Sequence, residues 1–322
     1  MHQVFSTHPL HPEVTARLTA TTDYSVASSP TAGAIMAEGR WAEVLIVRAT
    51  IPPGYFADAP NLRAAVRHGA GLDMIPVAAA TAAGVLVANV PGANAVTVAE
   101  HAIFAAIALL RQFRAMDNAL RGAGWDAGRA FADQGRELGG RRLGIFGYGA
   151  IGRALHRIAA GFDMEVVATT RRPETLPLGV PALDLDALAA TSDVLVLCCP
   201  LTEATRGALS AARIARMKPG AVLINVARGP VVDTAALVAA LQANRISAAL
   251  DVFDVQPLPA ASPLWRLENV ILTPHMAGIT EDSMLRIGQT AAGETLRILN
   301  GELPVNFCNP GVEAAYRKRF PV

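Results

Sequence analysis

The chain is poor in cysteine, in aromatic residues and in charge. Its 322 residues include three cysteines, 5% aromatic and 17% charged residues. Three cysteines, Cys198, Cys199 and Cys308, exclude a disulfide framework, and no CxxC spacing is present to hold zinc. A reducing compartment, the cytoplasm, is the expected setting. Lys and Arg number 28 against 27 Asp and Glu, a net charge of +1, so the sum carries no electrostatic footprint for nucleic acid or an anionic membrane. The longest unbroken apolar run, Ala102–Leu110, is closed by His101 and Arg111 and falls far short of the roughly 20 residues that span a bilayer. The opening residues Met-His-Gln-Val-Phe-Ser have neither the basic nor the apolar segment of a signal peptide, and none is expected. With 52% hydrophobic residues, the low charge argues for packed cores rather than disorder. The length suggests about two domains.

What is present is an alternation of short apolar runs and helical patterns. From Arg141 to Pro274 the expected strands are Leu143–Phe146, Val166–Thr169, Val194–Cys198, Ala221–Val226, Ala248–Val252 and Val270–Leu272. Helical segments are expected between them over Ala150–Gly161, Leu185–Ala190 and Ala235–Leu241. Such alternation implies a parallel sheet with crossover helices, and the continuous apolar strands imply burial on both faces. The first part has the same texture, with strand candidates Val44–Val47 and Val85–Ala88. The Ala-rich stretch Thr97–Leu120 reads as one long helix joining the two regions, and Asp282–Leu299 as a second, stopped by Asn300-Gly301.

Gly147-Tyr148-Gly149-Ala150-Ile151-Gly152 is a GxGxxG. Alone the pattern is weak, but here it follows a strand and opens a helix, where a dinucleotide pyrophosphate requires it. The first glycine permits the turn, the second admits the pyrophosphate, and the third packs helix on strand. Free N–H groups and the positive end of the helix then face the phosphates. The ribose reader is expected about 20 residues on, and there the chain has Thr170-Arg171-Arg172 with no acid. An acid would accept from the ribose 2′-hydroxyl and repel a 2′-phosphate, whereas two arginines and a hydroxyl ligate a phosphate. NADP(H) is therefore the expected cofactor.

Three polar groups follow three further expected strands: Asn225-Val226-Ala227-Arg228, Asp251-Val252-Phe253-Asp254-Val255-Gln256, and Thr273-Pro274-His275. Ligands of open α/β sheets bind at the carboxyl ends of strands, so these converge on one crevice. An Arg beside a His suits a carboxylate substrate bearing a carbonyl. The Arg holds the carboxylate in its fork, and the His exchanges the alcohol proton near neutral pH.

These residues, with Gly69-Ala70-Gly71-Leu72-Asp73, Val98-Ala99-Glu100-His101, Glu137-Leu138-Gly139-Gly140, Met217-Lys218-Pro219-Gly220 and Leu250-Asp251-Val252-Phe253, run in the order of a known family. The chain resembles the D-isomer-specific 2-hydroxyacid dehydrogenases, and within them the NADP-dependent glyoxylate/hydroxypyruvate reductases. The resemblance implies an α/β fold of two Rossmann-like domains with parallel sheets. The NADP-binding domain, 98–281, would be inserted into a discontinuous substrate domain, 1–97 and 282–322, with a cleft that opens and closes. It implies NADPH-dependent reduction of a small 2-keto acid to the D-2-hydroxy acid. Arg228 and His275 fall on the family's catalytic Arg and His. Asp251 falls on the residue facing the nicotinamide carboxamide, Ala70 and Gly71 on the loop holding the substrate carboxylate, and Arg48 on a substrate-contacting Arg of some members. Val98, Gly147, Gly149, Ala150, Ile151, Gly152, Cys199, Pro200, Thr205, Val226, Ala227 and Gly278 fall on the cofactor side.

One departure from the family pattern stands out. The Glu that usually pairs with the catalytic His is here Gln256, as in formate dehydrogenases, and Asp254 lies two residues away as an alternative partner. The formate-type reaction, and a nucleotide-sensing scaffold of corepressor type, are the competing readings. Among the other histidines, His8 and His11 flank a loop and His156 sits on a helix, so no metal is expected; His68 borders the carboxylate loop and is a weak substrate candidate. Ala102–Leu110 is more apolar than one buried helix face needs, so a homodimer packed there is expected.

Overall fold

Among residues 1–321, which the computed structural model describes, eleven strands form two wholly parallel sheets. The chain divides into two units, Met1–Asn94 with Ile279–Val322, and Ala95–Gly278. The first holds β1 (Gln3–Ser6), β2 (Asp23–Val26), β3 (Val44–Val47), β4 (Ala64–Arg67) and β5 (Leu86–Ala88), ordered β2-β1-β3-β4-β5. The second holds β6 (Arg142–Phe146), β7 (Glu165–Thr169), β8 (Val194–Leu197), β9 (Val222–Asn225), β10 (Ser247–Leu250) and β11 (Val270–Leu272), ordered β11-β10-β9-β8-β6-β7. In each sheet the first strand lies between the second and the third. Both are Rossmann-like α/β sheets.

The strands are apolar throughout because both faces are covered. In the first unit, Val44 and Ile46 pack with Val14, Leu18 and Ile287, while Leu45 and Val47 pack on the opposite face with Ile35, Tyr55 and Ala80. Side chains alternate across a strand, so a run without polar residues must be buried on two sides. The second unit repeats the scheme. Leu143, Ile145 and Val196 meet Ala102 and Leu155, while Phe146, Leu195 and Leu197 meet Leu188, Ile214 and Leu237. The helix Glu281–Leu299 starts on a reciprocal capping pair, Thr280 with Ser283, and carries Glu281 and Asp282 in its first turn.

The stretch Thr97–Leu120 is not one helix. It forms Ala95–Leu110 and Phe113–Ala123, bent by 56°. Gln112 is left-handed (φ 49°), and the Leu110 carbonyl accepts from the Arg136 amide, 3.0 Å, leaving the first helix's ladder. The cause is a change of environment. Ala95–Leu110 buries eleven side chains and Phe113–Ala123 none, so a straight continuation would carry charged residues into the packing layer. No single helix among the described residues is long and apolar enough to cross a membrane.

Candidate active site

All six carboxyl ends in the second sheet carry residues singled out from the sequence. Gly147 follows β6, Thr170 follows β7, Cys199 and Pro200 lie just past β8, Val226 follows β9, Asp251 follows β10 and His275 lies three residues past β11.

The turn after β6 is shaped by two close approaches. Gly147 has φ 105°, and a Cβ on it would lie 2.7 Å from the Cys199 amide nitrogen. A Cβ on Gly152 would lie 2.6 Å from the Gly147 carbonyl. Above Gly149, in contrast, there is open space. The amides of Gly149, Ala150 and Ile151 make no hydrogen bond among the described residues, and they open the helix Ala150–Ala160. Free donors, open space and a helix N-terminus fit a dinucleotide pyrophosphate. Cys198 and Cys199 line the neighbouring strand end. Burial pushes both thiols up, Cys199 to about 11, so neither is a thiolate nucleophile near neutral pH.

Beyond β7, Thr170 Oγ1 accepts from the Arg172 amide at 3.3 Å. The Arg171 and Arg172 side chains are exposed, and neither has an acidic partner among the described residues. On the other side of the turn, Thr205 Oγ1 donates to the Pro200 carbonyl, 2.7 Å, and accepts from the Thr202 amide, 2.7 Å, closing the loop after β8. Val98 is buried on the helix Ala95–Leu110. Three strand spacings, about 14 Å, separate β7 from β9, so Thr170 and Arg228 suit a ligand lying across the strand ends.

Arg228 is placed by a buried asparagine. The Asn225 side chain accepts from the Ala227 amide, 3.0 Å, and donates to the Arg228 carbonyl, 3.0 Å. The Arg228 guanidinium donates to the Ala227 carbonyl, 2.7 Å. Gly229 then lets this turn press against the next loop, since a Cβ there would sit 2.1 Å from the Phe253 carbonyl carbon.

Asp251 organises the histidine. Its buried carboxylate accepts from Thr273 Oγ1 (2.7 Å), the Met276 amide (2.8 Å) and the Ala277 amide (3.0 Å), and its carbonyl accepts from the His275 amide (2.8 Å). These bonds hold His275 at φ 56°, a left-handed conformation that histidine tolerates better than most side chains but that still needs support. His275 Nδ1 lies 3.1 Å from Gln256 Oε1. With the amide oxygen as acceptor, Nδ1 carries its proton. The Asp254 carboxylate accepts instead from Thr234 Oγ1, at 2.5 Å. Gly278 ends this loop and the second unit.

In the first unit, Arg48 follows β3, and His68, Ala70 and Gly71 follow β4. Gly69 has φ 142° and the loop turns there. The amides of Ala70 and Gly71 make no hydrogen bond among the described residues and are open to an anion. The sequence reading did not single out Arg67, Asn89 or Thr7. Arg67 donates to the carbonyls of Val47, His68 and Gly71, and Asn89 donates to that of Ala70. Thr7 Oγ1 accepts from the amides of Arg48 and Ala49. The signal for Arg67 was its place at a strand end directly before His68-Gly69; Asn89 and Thr7 carry none, since their roles depend on strand order.

The geometry defines a dinucleotide-binding α/β protein with an Arg after β9 and a His after β11, on either side of β10. Comparison with known proteins gives the family. Residues 103–277 match the sequence profile of the D-isomer specific 2-hydroxyacid dehydrogenase, NAD binding domain, and the chain belongs to that family. It is 37% identical over 260 residues to a glyoxylate reductase of Thermofilum pendens, covering 79% of this chain and 77% of the relative. It is 35% identical over 251 residues to a D-3-phosphoglycerate dehydrogenase of Archaeoglobus fulgidus, covering 77% of this chain; the match spans about half the length of that relative, 47%. Among solved structures it is similar to an NADPH-dependent glyoxylate/hydroxypyruvate reductase of Sinorhizobium meliloti in complex with citrate. There the TM-score is 0.83 with 27% identity, over 96% of this chain and 98% of that one.

Proposed function

We propose that the chain is an NADPH-dependent reductase of small 2-keto acids, of which glyoxylate and hydroxypyruvate are the simplest, giving the D-2-hydroxy acid. The observation that carries this reading is His275, held by the Asp251 clamp with Gln256 Oε1 on Nδ1, after β11 in the same sheet whose β9 leads to Arg228. The glyoxylate reductase and glyoxylate/hydroxypyruvate reductase relatives support it. NADPH, when bound, supplies the hydride that adds to the keto carbon. His275 Nε2–H donates its proton to the carbonyl oxygen, and Gln256 fixes the tautomer that keeps Nε2 toward it. Arg228 holds the carboxylate and stabilises negative charge developing on the oxygen. Ala70, Gly71 and Arg48 are assigned to substrate. The pyrophosphate is assigned to the amides after Gly147, and a 2′-phosphate to Thr170, Arg171 and Arg172.

The test is NADPH consumption on mixing with glyoxylate or hydroxypyruvate. Nucleotide binding without turnover of any 2-keto acid would favour the scaffold reading, and NAD reduction by formate the formate-type reading.

The Gln256 pairing has its own consequence. Reduction needs His275 protonated, so the rate falls as pH rises through the pKa of that residue. A carboxylate at position 256 favours the imidazolium and raises that pKa. Gln256→Glu is therefore expected to move the alkaline limb of the reductive pH–rate profile upward, each unit corresponding to about 1.4 kcal/mol. Asp254→Asn is expected to leave the limb where it is, because Gln256 rather than Asp254 is bonded to Nδ1. An unmoved limb in Gln256→Glu would remove Gln256 from the third catalytic position.

A homodimer is proposed through the first helix of the second unit. Phe104, Ile107, Phe113, Leu120 and Trp125 are exposed on Ala95–Arg129, Trp125 at 74%. A stable interface buries upwards of about 1,000 Å². Sedimentation equilibrium at micromolar concentration is expected to give twice the chain mass; a monomer would refute the assignment.

A further inference from the structure

The loop that carries Gln256 has no helix or strand of its own from Val252 to Ser262, and Asp254, Val255, Gln256 and Pro257 are exposed. It is undercut by a cavity of about 390 Å³, lined by Val232, Leu237, Val252 and Leu258 together with Thr234 and Asp254. Dispersion holds a segment only where atoms meet, so a loop lying over a cavity is placed by its hydrogen bonds more than by packing.

Those bonds form a chain that ends on the histidine. The helix Thr234–Gln242 is capped by Asp233, whose side chain accepts from the Ala236 amide, 3.0 Å, and it is anchored by buried Leu237 and Leu241. Its first residue, Thr234, donates through Oγ1 to the Asp254 carboxylate, 2.5 Å. The positive end of the helix favours that carboxylate as well. At the same point the loop presses on the turn after Arg228. A Cβ on Gly229 would lie 2.3 Å from both the Asp254 amide nitrogen and the Phe253 carbonyl oxygen. The Phe253 carbonyl accepts from Gln256 Nε2, 3.4 Å. With Nε2 engaged there, the amide turns Oε1 to His275 Nδ1, 3.1 Å. At the far end of the loop, Trp265 Nε1 donates to the Pro259 carbonyl, 2.9 Å.

A neutral partner makes this placement matter. A carboxylate at position 256 would be drawn to an imidazolium by charge as well as by the hydrogen bond, whereas an amide has the hydrogen bond alone. That bond is directional, so its strength depends on where the loop sets the amide. We propose that Thr234 and Asp254 are positioning residues for His275: their hydrogen bond ties the Gln256 loop to the helix Thr234–Gln242 and so keeps Gln256 Oε1 on Nδ1. The assignment rests on the 2-keto acid reading, in which His275 is the proton donor.

The experiment measures kcat and KM for the best 2-keto acid substrate, at saturating NADPH, in Thr234→Val, Thr234→Ser, Asp254→Ala and Asp254→Asn. Thr234→Val and Asp254→Ala are then repeated in a Gln256→Ala background. Each of these two is expected to lower kcat by roughly 2- to 10-fold in the wild-type background, the equivalent of one hydrogen bond, with KM little changed. Thr234→Ser keeps the hydroxyl and Asp254→Asn keeps an acceptor oxygen, so both are expected to stay close to wild-type kcat. With Gln256→Ala the loop has no amide to place, and neither Thr234→Val nor Asp254→Ala is expected to cost anything further. Such non-additivity separates positioning from a general loss of stability. Asp254→Ala, in an exposed loop, decides the matter if Thr234→Val does not fold by circular dichroism. Wild-type kcat in both variants, or the same loss with and without Gln256, overturns the proposal. If no 2-keto acid is reduced with either nicotinamide cofactor, the reductase reading fails. The tie is then decided by long-range proton–nitrogen NMR of the histidine rings, with His275 assigned by its absence in His275→Asn. Neutral His275 is expected as the Nδ1–H tautomer in the wild type and as a mixture of tautomers in Thr234→Val; an unchanged tautomer overturns the assignment.

Discussion

Replacing His275 by asparagine is expected to lower kcat for keto-acid reduction by on the order of 10²–10⁴-fold, the usual contribution of a positioned general acid. Asparagine is chosen because His275 has φ 56°. Asn enters that left-handed region more readily than alanine, so the loop Thr273–Gly278 keeps its course while the proton donor is removed. His275→Ala is expected to show the same loss of rate. The control is Asp251→Asn. The Asp251 carboxylate accepts the Met276 and Ala277 amides and the Thr273 hydroxyl, and it is 3% exposed. An amide in its place loses one acceptor, leaving a buried amide N–H unpaired at about 1–3 kcal/mol. Asp251→Asn is therefore expected to lower both the melting temperature and kcat, whereas the exposed His275 variants lower kcat with little change in melting. A folded His275→Asn protein that turns over within a few-fold of wild type would remove the proposed acid.

The parts of this architecture legible in the sequence are those set by local physics. Apolar runs such as Val194–Leu197 and Val222–Asn225 are continuous because both faces are covered, and that alone separates a parallel α/β sheet from a half-exposed one. Asp23–Val26 escaped notice because it is an edge strand, neighbouring β1 alone, with no fully buried side chain to mark it. The break at Gln112 was equally silent, since Ala, Leu, Arg, Gln and Met are all good helix formers and the bend follows from where burial stops. At the site, motifs named Arg228 and His275, but the partner of His275 was open between Gln256 and Asp254. In the fold Gln256 Oε1 lies 3.1 Å from His275 Nδ1, while the Asp254 carboxylate accepts from Thr234, twenty residues away. The sequence linked Asp251 to cofactor, and the fold adds that its oxygens are bonded into the histidine loop. Contacts of this kind depend on strand order, which no local pattern specifies.

Cofactor choice is the other large effect. Arg171→Ala is expected to lower kcat/KM for NADPH by roughly 10- to 150-fold relative to NADH, the equivalent of about 1.5–3 kcal/mol for a charge-assisted hydrogen bond. Two opposing considerations set that range. Both guanidiniums are exposed, and exposed ion pairs are worth at most about 1 kcal/mol because water and salt screen them. A 2′-phosphate, however, is a dianion that an arginine fork meets with two parallel bonds, and no acidic side chain competes for either arginine among the described residues. Thr170 is bonded to the Arg172 amide, which orders the start of the loop before the phosphate arrives. The screening argument adds a second readout: the preference for NADPH should shrink as ionic strength rises, and the NADH value should not. Thr170→Asp places an acceptor for a ribose 2′-hydroxyl and a repulsive charge for a 2′-phosphate at one position, so it is expected to reverse the preference. Equal losses with both cofactors in Arg171→Ala, together with an unreversed preference in Thr170→Asp, would show that this strand end does not read the 2′ position, and the cofactor of this chain would then be NAD(H) or either one without discrimination.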